Sequence, residues 1–207
     1  MKRERRQRKA TTGLSRERIA RAALARIEAG GPADLSMRRL AADLGCEAMS
    51  LYHHVDGIEG VLDAVVDELF DSLLRAAESG ADPRRSLAAF ADAYLALAEK
   101  SPNAFPLVAT RLLHTPRALA AVGRVLGLLQ ALGLTQRAAL RQARVLAAYL
   151  NGAGLALAAW RLEPGGGRRS AQAAESDPVL GPLMPEVNSQ AVHADLKSGL
   201  KRLLDDL

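Results

Sequence analysis

The chain of 207 residues contains little cysteine and few aromatic residues, and both shortages limit what it can be. Its single cysteine, Cys46, excludes an intramolecular disulfide and a thiolate metal cluster. The four histidines, His53, His54, His114 and His193, lack the spacing of metal ligands, so no metal site is predicted. Aromatic residues make up only 3%, and Ala and Leu dominate. This composition favours close-packed helices, because strands prefer β-branched and aromatic side chains.

The chain also lacks an apolar run that could span a membrane. The most apolar run, Val145 to Trp160, is interrupted by Asn151 and is shorter than the roughly 20 residues that a bilayer requires. The charged N-terminus has no apolar core, so no secretory signal is expected. There is no Ser-His-Asp set, paired acidic motif, Gly-rich phosphate loop or metal motif to indicate an enzyme. We therefore expect a soluble, cytoplasmic protein without enzymatic activity, cofactor or membrane contact.

Positive charge is concentrated in the N-terminal quarter. Residues 1–56 carry 12 of the 28 Lys and Arg residues but only 7 of the 23 Asp and Glu residues, so the whole net charge of +5 lies there. A localised excess of this kind is expected of a surface that binds phosphates. Residues 2–9 of the basic arm MKRERRQRKATTG could follow a groove or the backbone of DNA. The alternative is a disordered tail that only aids solubility.

Residues 35–69 have the pattern of a helix-turn-helix followed by a further amphipathic helix. Ser36 is the predicted N-cap of a helix that ends at Gly45, in a left-handed conformation that glycine adopts readily. A short helix over about Glu47 to His54 follows, with Leu51 and Val55 inward at a spacing of four residues. In a helix-turn-helix this second helix enters the major groove of DNA, which makes DNA binding the leading hypothesis.

The outer face of this short helix is free of the apolar stripe that core helices carry. Its outward or sideways residues are Ala48, Met49, Ser50, Tyr52 and His54. Tyr52 and His54 can hydrogen-bond phosphate oxygens, and Arg38 can reach the backbone or a guanine edge. Alternatives remain open: Met49 could pack in the core, Tyr52 could pack between domains, and Arg39 fits a solvated face better than a contact.

Capping signals and apolar periodicity predict helices along the rest of the chain. They run from Ser15 to about Ala29, from the capping-box pair Asp56 and Glu59, from Asp82 to about Lys100, from Asn103 to Leu113 with an early break at Pro106, from Thr115 to Gly133, from Thr135 to Leu162 and from about Glu186 to Asp205. Residues 164–185 are the one long irregular stretch, which is typical of a functional or disordered segment.

The sequence LSMRRLAADLGCEAMSLYHHV, with its ending Leu51 to Val55 and the following VLDAVVDEL, resembles the TetR family of bacterial transcriptional regulators. The resemblance is specific over residues 15–70. Over residues 83–205 it depends only on the number, length and order of helices, which look like the tetracycline-repressor branch. It implies a homodimer on a palindromic operator, with an effector pocket in the larger domain. By position, it implies DNA contacts from Arg38, Ala48, Met49, Ser50, Tyr52 and His54.

The chain departs from this family at two places. A lysine often stands near the start of the family's fourth helix, but here residues 56–59 are Asp-Gly-Ile-Glu, so that phosphate contact is not expected. Tetracycline-binding members hold a drug-chelated metal with a histidine and a glutamate, and an approximate alignment places Ala109 and Ala158 there. Tetracycline-magnesium is therefore not expected as an effector.

The larger domain is predicted to bind a ligand and to dimerise. Ligand sites are mostly apolar with a few convergent polar groups, and the candidates are Phe90, Tyr94, Phe105, Leu112, His114, Tyr149, Asn151 and Trp160. Individually the aromatics fit a core better than a pocket. Asn151 fits a ligand contact and a hydrogen-bonded amide between helices equally well. The helices over 135–162 and 186–204 could form a four-helix bundle with a second copy, with Ala147, Gly154 and Ala158 allowing close approach.

The sequence thus predicts an all-α chain with a flexible basic arm at 1–14, a three-helix helix-turn-helix domain at 15–60, and a larger helical effector-binding and dimerisation domain at 61–207. The function predicted is a ligand-responsive transcriptional repressor, released from its operator by a small apolar effector, with the fourth helix carrying the change between domains. A helical protein-interaction module with a non-specific basic tail is the alternative, and a helical enzyme has no motif in its favour.

Overall fold

The computed structural model describes residues 13–77, 82–163, 172–174, 176–186 and 189–205. These residues are helical apart from their connections, without a strand among them, and the all-α prediction is confirmed. The helices are α1 Arg16–Gly30, α2 Met37–Leu44, α3 Ala48–Leu51, α4 Gly57–Ala77, α5 Pro83–Lys100, α6 Phe105–Thr110, α7 Pro116–Ala131, α8 Gln136–Leu162 and α9 Ser189–Asp205, with 3-10 turns at Pro32–Asp34 and Gly181–Glu186. Of the irregular stretch predicted at 164–185, residues 164–171 and 175 lie outside the described residues, and the rest includes the start of the 3-10 turn at Gly181.

Four helices begin at the side-chain caps predicted for them. The oxygens of Ser15, Ser36, Asp82 and Thr135 accept hydrogen bonds from backbone N–H groups two or three residues further on. Each bond satisfies one of the N–H groups that the first turn of a helix leaves without a partner. Thr115 also precedes a helix, but its buried Oγ1 has no hydrogen-bond partner among the described residues.

Two local predictions are wrong. The capping box is not formed: the Asp56 side chain makes no hydrogen bond within the described residues, and the Glu59 carboxylate accepts one from Arg111 at 2.9 Å. The predicted helix over 103–113 is shorter, and Pro106 lies in the first turn of α6 instead of breaking it. Proline is tolerated there because an N–H in the first turn has no helical partner to lose.

The N-terminal helices α1, α2 and α3 pack into one small unit. The Arg26 guanidinium on α1 bridges the Asp43 carboxylate on α2, at 2.6 and 2.7 Å, and the Asp34 carboxylate in the intervening turn, at 2.6 Å. A two-pronged pair of this kind sets orientation as well as distance. The pair therefore fixes the angle between α1 and α2.

Helix α4 belongs to both halves of the molecule. It packs on α1 on one side and on α5, α6 and α7 on the other. Its buried side chains, which run from Val61 to Leu73, join one continuous hydrophobic cluster that extends from Leu14 to Leu204. The domain boundary predicted at residue 60 lies in the first turn of this helix. Helix α4 therefore contacts both the N-terminal unit and the larger half.

Helix α8 is the centre of the larger half and packs against α5, α6, α7 and α9. In the described part of the chain it is the one helix long and apolar enough to cross a membrane, by length and composition only. Its Gly154 lies against the Phe105 ring, where an added Cβ would be 2.2 Å from Cζ. Gly154 and Ala158 are buried in this chain's own core. The prediction that Gly154 allows a partner helix to approach is therefore wrong, because the Phe105 ring on α6 occupies that side. Ala158 is also buried within this chain, whereas the third predicted residue, Ala147, is exposed.

Candidate nucleic-acid interface and ligand cavity

Helix α3 is held on the protein by its inner face. Leu51 is fully buried and Val55 nearly so. Before it, Gly45 adopts the left-handed conformation at φ 66°, its N–H bonds to Ala42, and the N–H of Cys46 bonds to Ala41. These two bonds form the glycine C-terminal motif that closes a helix and turns the chain sharply. The turn and the two inward side chains together set the angle at which α3 stands on α2.

The outer face of α3 is left uncommitted. Met49 is 70% exposed and Tyr52 is 49% exposed, so neither packs in the core. Ala48, Ser50 and His54 are half-buried, and Arg38 on α2 is exposed. Within the part of the chain that the structure describes, the side chains of Arg38, Ser50, Tyr52 and His54 make no hydrogen bond, whereas Arg39 pairs with Asp34. The helical part of α3 ends at Leu51, and residues 52–54 form a turn.

The basic arm enters the described residues only at its end. Residues 1–12 lie outside them, so the predicted contact of residues 2–9 is not placed. The Gly13 carbonyl accepts a hydrogen bond from Arg18 Nη1 at 3.0 Å, and Leu14 is buried. The arm is therefore anchored at the start of α1.

The larger half contains a cavity of about 340 Å³ between α4, α5, α6, α7 and α8. That volume is at the lower end of the range, about 300 to 1,000 Å³, in which small molecules bind. Its lining residues are Phe70, Phe90, Tyr94, Val108, Ala109, Arg111, Leu113, Ala121, Val122, Val125, Leu140, Ala143, Arg144, Leu146, Ala147, Leu150 and Asn151.

Few polar groups interrupt this apolar lining. The Tyr94 hydroxyl donates a hydrogen bond to Asn151 Oδ1 at 2.6 Å, and burial raises the pKa of Tyr94 above its ordinary value. Asn151 is thus both a helix-interface amide and a lining residue. Its Nδ2 makes no other hydrogen bond to the described residues and remains a free donor. Arg111 and Arg144 are the charged members of the lining.

Of the predicted ligand-binding residues, the structure brings Phe90, Tyr94 and Asn151 to the cavity. The other five lie elsewhere. Phe105 packs edge-on against Tyr94, with ring centroids 5.4 Å apart; Leu112 and His114 are exposed; the Tyr149 hydroxyl donates to the Leu196 carbonyl; and Trp160 is half-buried away from the lining. Sequence reasoning missed both arginines. Arg144 carried a signal, because Leu140 and Ala147 place it on an apolar helix face.

The connection between α6 and α7 joins this cavity to α4. Arg111 Nη2 donates to Glu59 at 2.9 Å and to Asp63 at 3.0 Å, and these carboxylates, Glu59 foremost, raise the pKa of Arg111. His114 Nε2 lies 3.1 Å from the second Asp63 oxygen, and the pKa of His114 is raised, first by its bond to the Leu112 carbonyl and then by Asp63. One turn later, Asp67 accepts a hydrogen bond from the Arg117 N–H at 3.0 Å.

A second connection is made by Glu28 near the end of α1. Its carboxylate accepts hydrogen bonds from the backbone N–H groups of Ala104, at 2.8 Å, and Asn103, at 3.4 Å. These residues lead directly into α6, whose Val108 and Ala109 line the cavity. Helix α6 is thus held to α1 at its start and to α4 just beyond its end.

Two known proteins match the chain in sequence. An HTH-type transcriptional regulator of Saccharopolyspora erythraea is 34% identical over 160 residues, which are 77% of this chain and 68% of that protein. The HTH-type transcriptional repressor DrrR1 of Streptomyces coeruleorubidus is 35% identical over 127 residues, which are 59% of this chain and 46% of that protein. The match to DrrR1 therefore spans less than half of its length. No protein-family model matches the chain.

The fold matches a solved structure described as a possible TetR family transcriptional regulator from Streptomyces coelicolor A3(2). It has a TM-score of 0.78 and 27% identity, and the match covers 93% of this chain and 98% of the other. The chain belongs to the TetR family of transcriptional regulators. The S. coelicolor TetR family protein ActR, solved in complex with actinorhodin, has the same fold, with a TM-score of 0.76 and 22% identity over 94% of this chain and 95% of ActR.

Membership in the TetR family confirms the prediction of a DNA-binding transcriptional regulator. In the described residues of this regulator, no three His, Cys, Asp or Glu side chains are grouped so that they could hold a metal ion. The individual contact residues on α3 and in the cavity stay predictions.

Proposed function

We propose that this TetR-family regulator is a cytoplasmic repressor that binds a palindromic operator as a homodimer and releases it when an effector fills the cavity. The observation that supports DNA binding through α3 is the contrast between its two faces. The inner face is buried at Leu51, whereas the outer face is exposed at Met49 and Tyr52. A side chain such as Met49, 70% exposed, is covered only when a partner lies on it. The major groove admits a helix and offers thymine methyl groups to apolar side chains.

Release by an effector is supported by the position of the cavity. Its wall includes Arg111, which is bonded to the first two turns of α4, and α4 packs on α1 of the DNA-binding unit. The structure of ActR with actinorhodin describes a protein of this fold with a small molecule bound. An effector shifts the equilibrium only if it binds the two conformations with different affinity, and Arg111 is a lining residue through which binding can act on α4.

A homodimer is supported by the free side of α8. Val145 is exposed there, and three small, exposed residues follow on the same helix face: Ala148, Gly152 and Ala159. These residues, instead of Gly154 and Ala158, would allow a second copy to approach closely. Helix-turn-helix dimers place their two reading helices roughly 34–36 Å apart, one turn of DNA. Sedimentation of the protein alone tests the dimer, and a monomer at micromolar concentration would contradict it.

The test of function is binding to DNA from the region upstream of the protein's own gene, with unrelated DNA of the same length as competitor. We expect specific binding that weakens with salt. Tyr52→Ala and Arg38→Ala should each weaken binding about tenfold, as the loss of one good contact does. Arg39→Gln is the matched control, because Arg39 already pairs with Asp34. Equal affinity for specific and unrelated DNA would favour a protein-interaction module with a basic tail.

A further inference from the structure

The charges that line the cavity are all of one sign. Arg111 and Arg144 are its charged lining residues, and no carboxylate lies among the others. The remaining lining is apolar apart from Tyr94 and Asn151. Only 24% of the Arg111 side chain is exposed, and a charge with few water molecules around it interacts more strongly with an ion than it would in water. An apolar cavity with guanidinium groups and no acid favours an anion over a neutral or cationic molecule.

The two arginines differ in what they already bind. Arg144 on α8 is exposed at the rim of the cavity and forms no ion pair with the described residues. Arg111 is held by Glu59 at 2.9 Å and by Asp63 at 3.0 Å. Glu59 is largely exposed, and Arg111 is its only side-chain partner in the described part of the chain. An anion in the cavity meets one unpaired guanidinium and one whose present partners belong to α4.

We propose that the effector of this cavity is an apolar molecule carrying one acidic group, and that this group binds Arg144 and Arg111 in competition with Glu59 and Asp63. The proposal rests on the proposed function, in which the cavity is the effector site, and it adds the chemical class of the effector. The acid supplies the difference in affinity that release requires, because binding it draws Arg111 from the first turns of α4. Asn151 Nδ2 offers a further donor to a carbonyl or hydroxyl on the same molecule.

Competition of this kind works in both directions. If the acid weakens the hold of Arg111 on Glu59, then removing Glu59 must strengthen the hold of Arg111 on the acid. A purely structural role for the Arg111–Glu59 pair predicts no gain in ligand affinity when the pair is broken. The sign of the effect of Glu59→Gln therefore separates the two.

The test uses a matched pair of fluorescent probes, 8-anilinonaphthalene-1-sulfonate and the neutral N-phenyl-1-naphthylamine, which differ only in the sulfonate. The full chain should bind the sulfonate more tightly than the neutral probe. Arg144→Gln and Arg111→Gln should each weaken sulfonate binding about tenfold, the change that a loss of about 1.4 kcal/mol produces. Both variants should leave binding of the neutral probe unchanged, which also shows that they remain folded. Glu59→Gln should strengthen sulfonate binding several-fold.

Two controls place the probes in the cavity. Arg141→Gln removes an exposed arginine one turn before Arg144 that does not line the cavity, and it should change nothing. Ala147→Trp fills the cavity from its exposed rim and should abolish binding of both probes. Equal affinity of wild type for the two probes, or arginine variants that weaken both equally, would overturn the proposal. An unchanged or lower sulfonate affinity in Glu59→Gln would overturn the competition.

The outcome does not depend on DNA. Probe discrimination without specific DNA binding would retain the acidic ligand class and refute the proposed function. Specific DNA binding without probe discrimination would retain the regulator and refute the acidic ligand.

Discussion

The N-terminal unit of α1, α2 and α3 and the cavity of the larger half differ in how each leaves side chains available to a partner. On α3 the available side chains lie on an open face. The helix is positioned by nearby residues: the turn at Gly45 and the buried Leu51 and Val55. The cavity is lined instead by residues of five helices and of the connection between α6 and α7. Tyr94 meets Asn151 on another helix, and Arg111 meets Glu59, more than fifty residues earlier in the chain.

The difference teaches how two kinds of site tolerate change. An open face on a rigid helix can lose an outward side chain without affecting the fold, because no other residue packs on it. An enclosed site is made of the same side chains that hold the core together. We expect mutations to separate stability from binding on α3 and to couple them around the cavity.

The largest expected effect tests this separation on α3 itself. Leu51→Ala removes a fully buried side chain and should lower the free energy of unfolding by about 2–5 kcal/mol. Met49→Ala, two residues earlier and 70% exposed, should leave unfolding unchanged while weakening specific DNA binding. Denaturant unfolding and DNA titration of both variants check it. A destabilised Met49→Ala protein would mean that α3 is not open on its outer side.

The next effect tests coupling around the cavity. Gly154→Ala places a Cβ 2.2 Å from Phe105 Cζ, and Phe105 is fully buried against Tyr94. The ring must move, so we expect a loss of about 1–3 kcal/mol together with altered probe binding. Gly127→Ala on α7 is the control, because an added Cβ there meets no atom within 4 Å. It should leave the protein equally or slightly more stable. Thermal melts of both variants distinguish these outcomes.

The smallest effect is the dependence of stability on pH, which has opposite signs for two carboxylates of the N-terminal unit of α1, α2 and α3. Burial raises the pKa of Glu28 above its ordinary 4.5, so its contribution to stability is present below that pH and is lost as pH rises through the raised value. The hydrogen bond from Arg26 lowers the pKa of Asp43 below 3.8, so its contribution is present above that pH and is lost as pH falls through the lowered value. Unfolding measured from about pH 3 to pH 7 should show each slope disappear in Glu28→Gln and Asp43→Asn, respectively. A slope that survives its own substitution would assign it to another group.

Local chemistry accounts for the predictions that succeeded. Ser15, Ser36, Asp82 and Thr135 cap their helices within three residues, and Gly45 turns the chain by its own backbone freedom. The Asp56–Glu59 capping box did not form, and the Glu59 carboxylate instead bonds to a distant arginine, Arg111. A capping pattern in sequence does not reveal such a partner.

The sequence by itself determined the order of the helices, four of their caps, and which side of α3 turns inward, because each depends on residues within about one turn of one another. Only the tertiary structure decided which aromatics pack in the core, which arginines reach the cavity, and that the Phe105 ring packs on Gly154. Those outcomes depend on helices that meet across the fold, and their distances and crossing angles are set by the packing of the whole hydrophobic cluster.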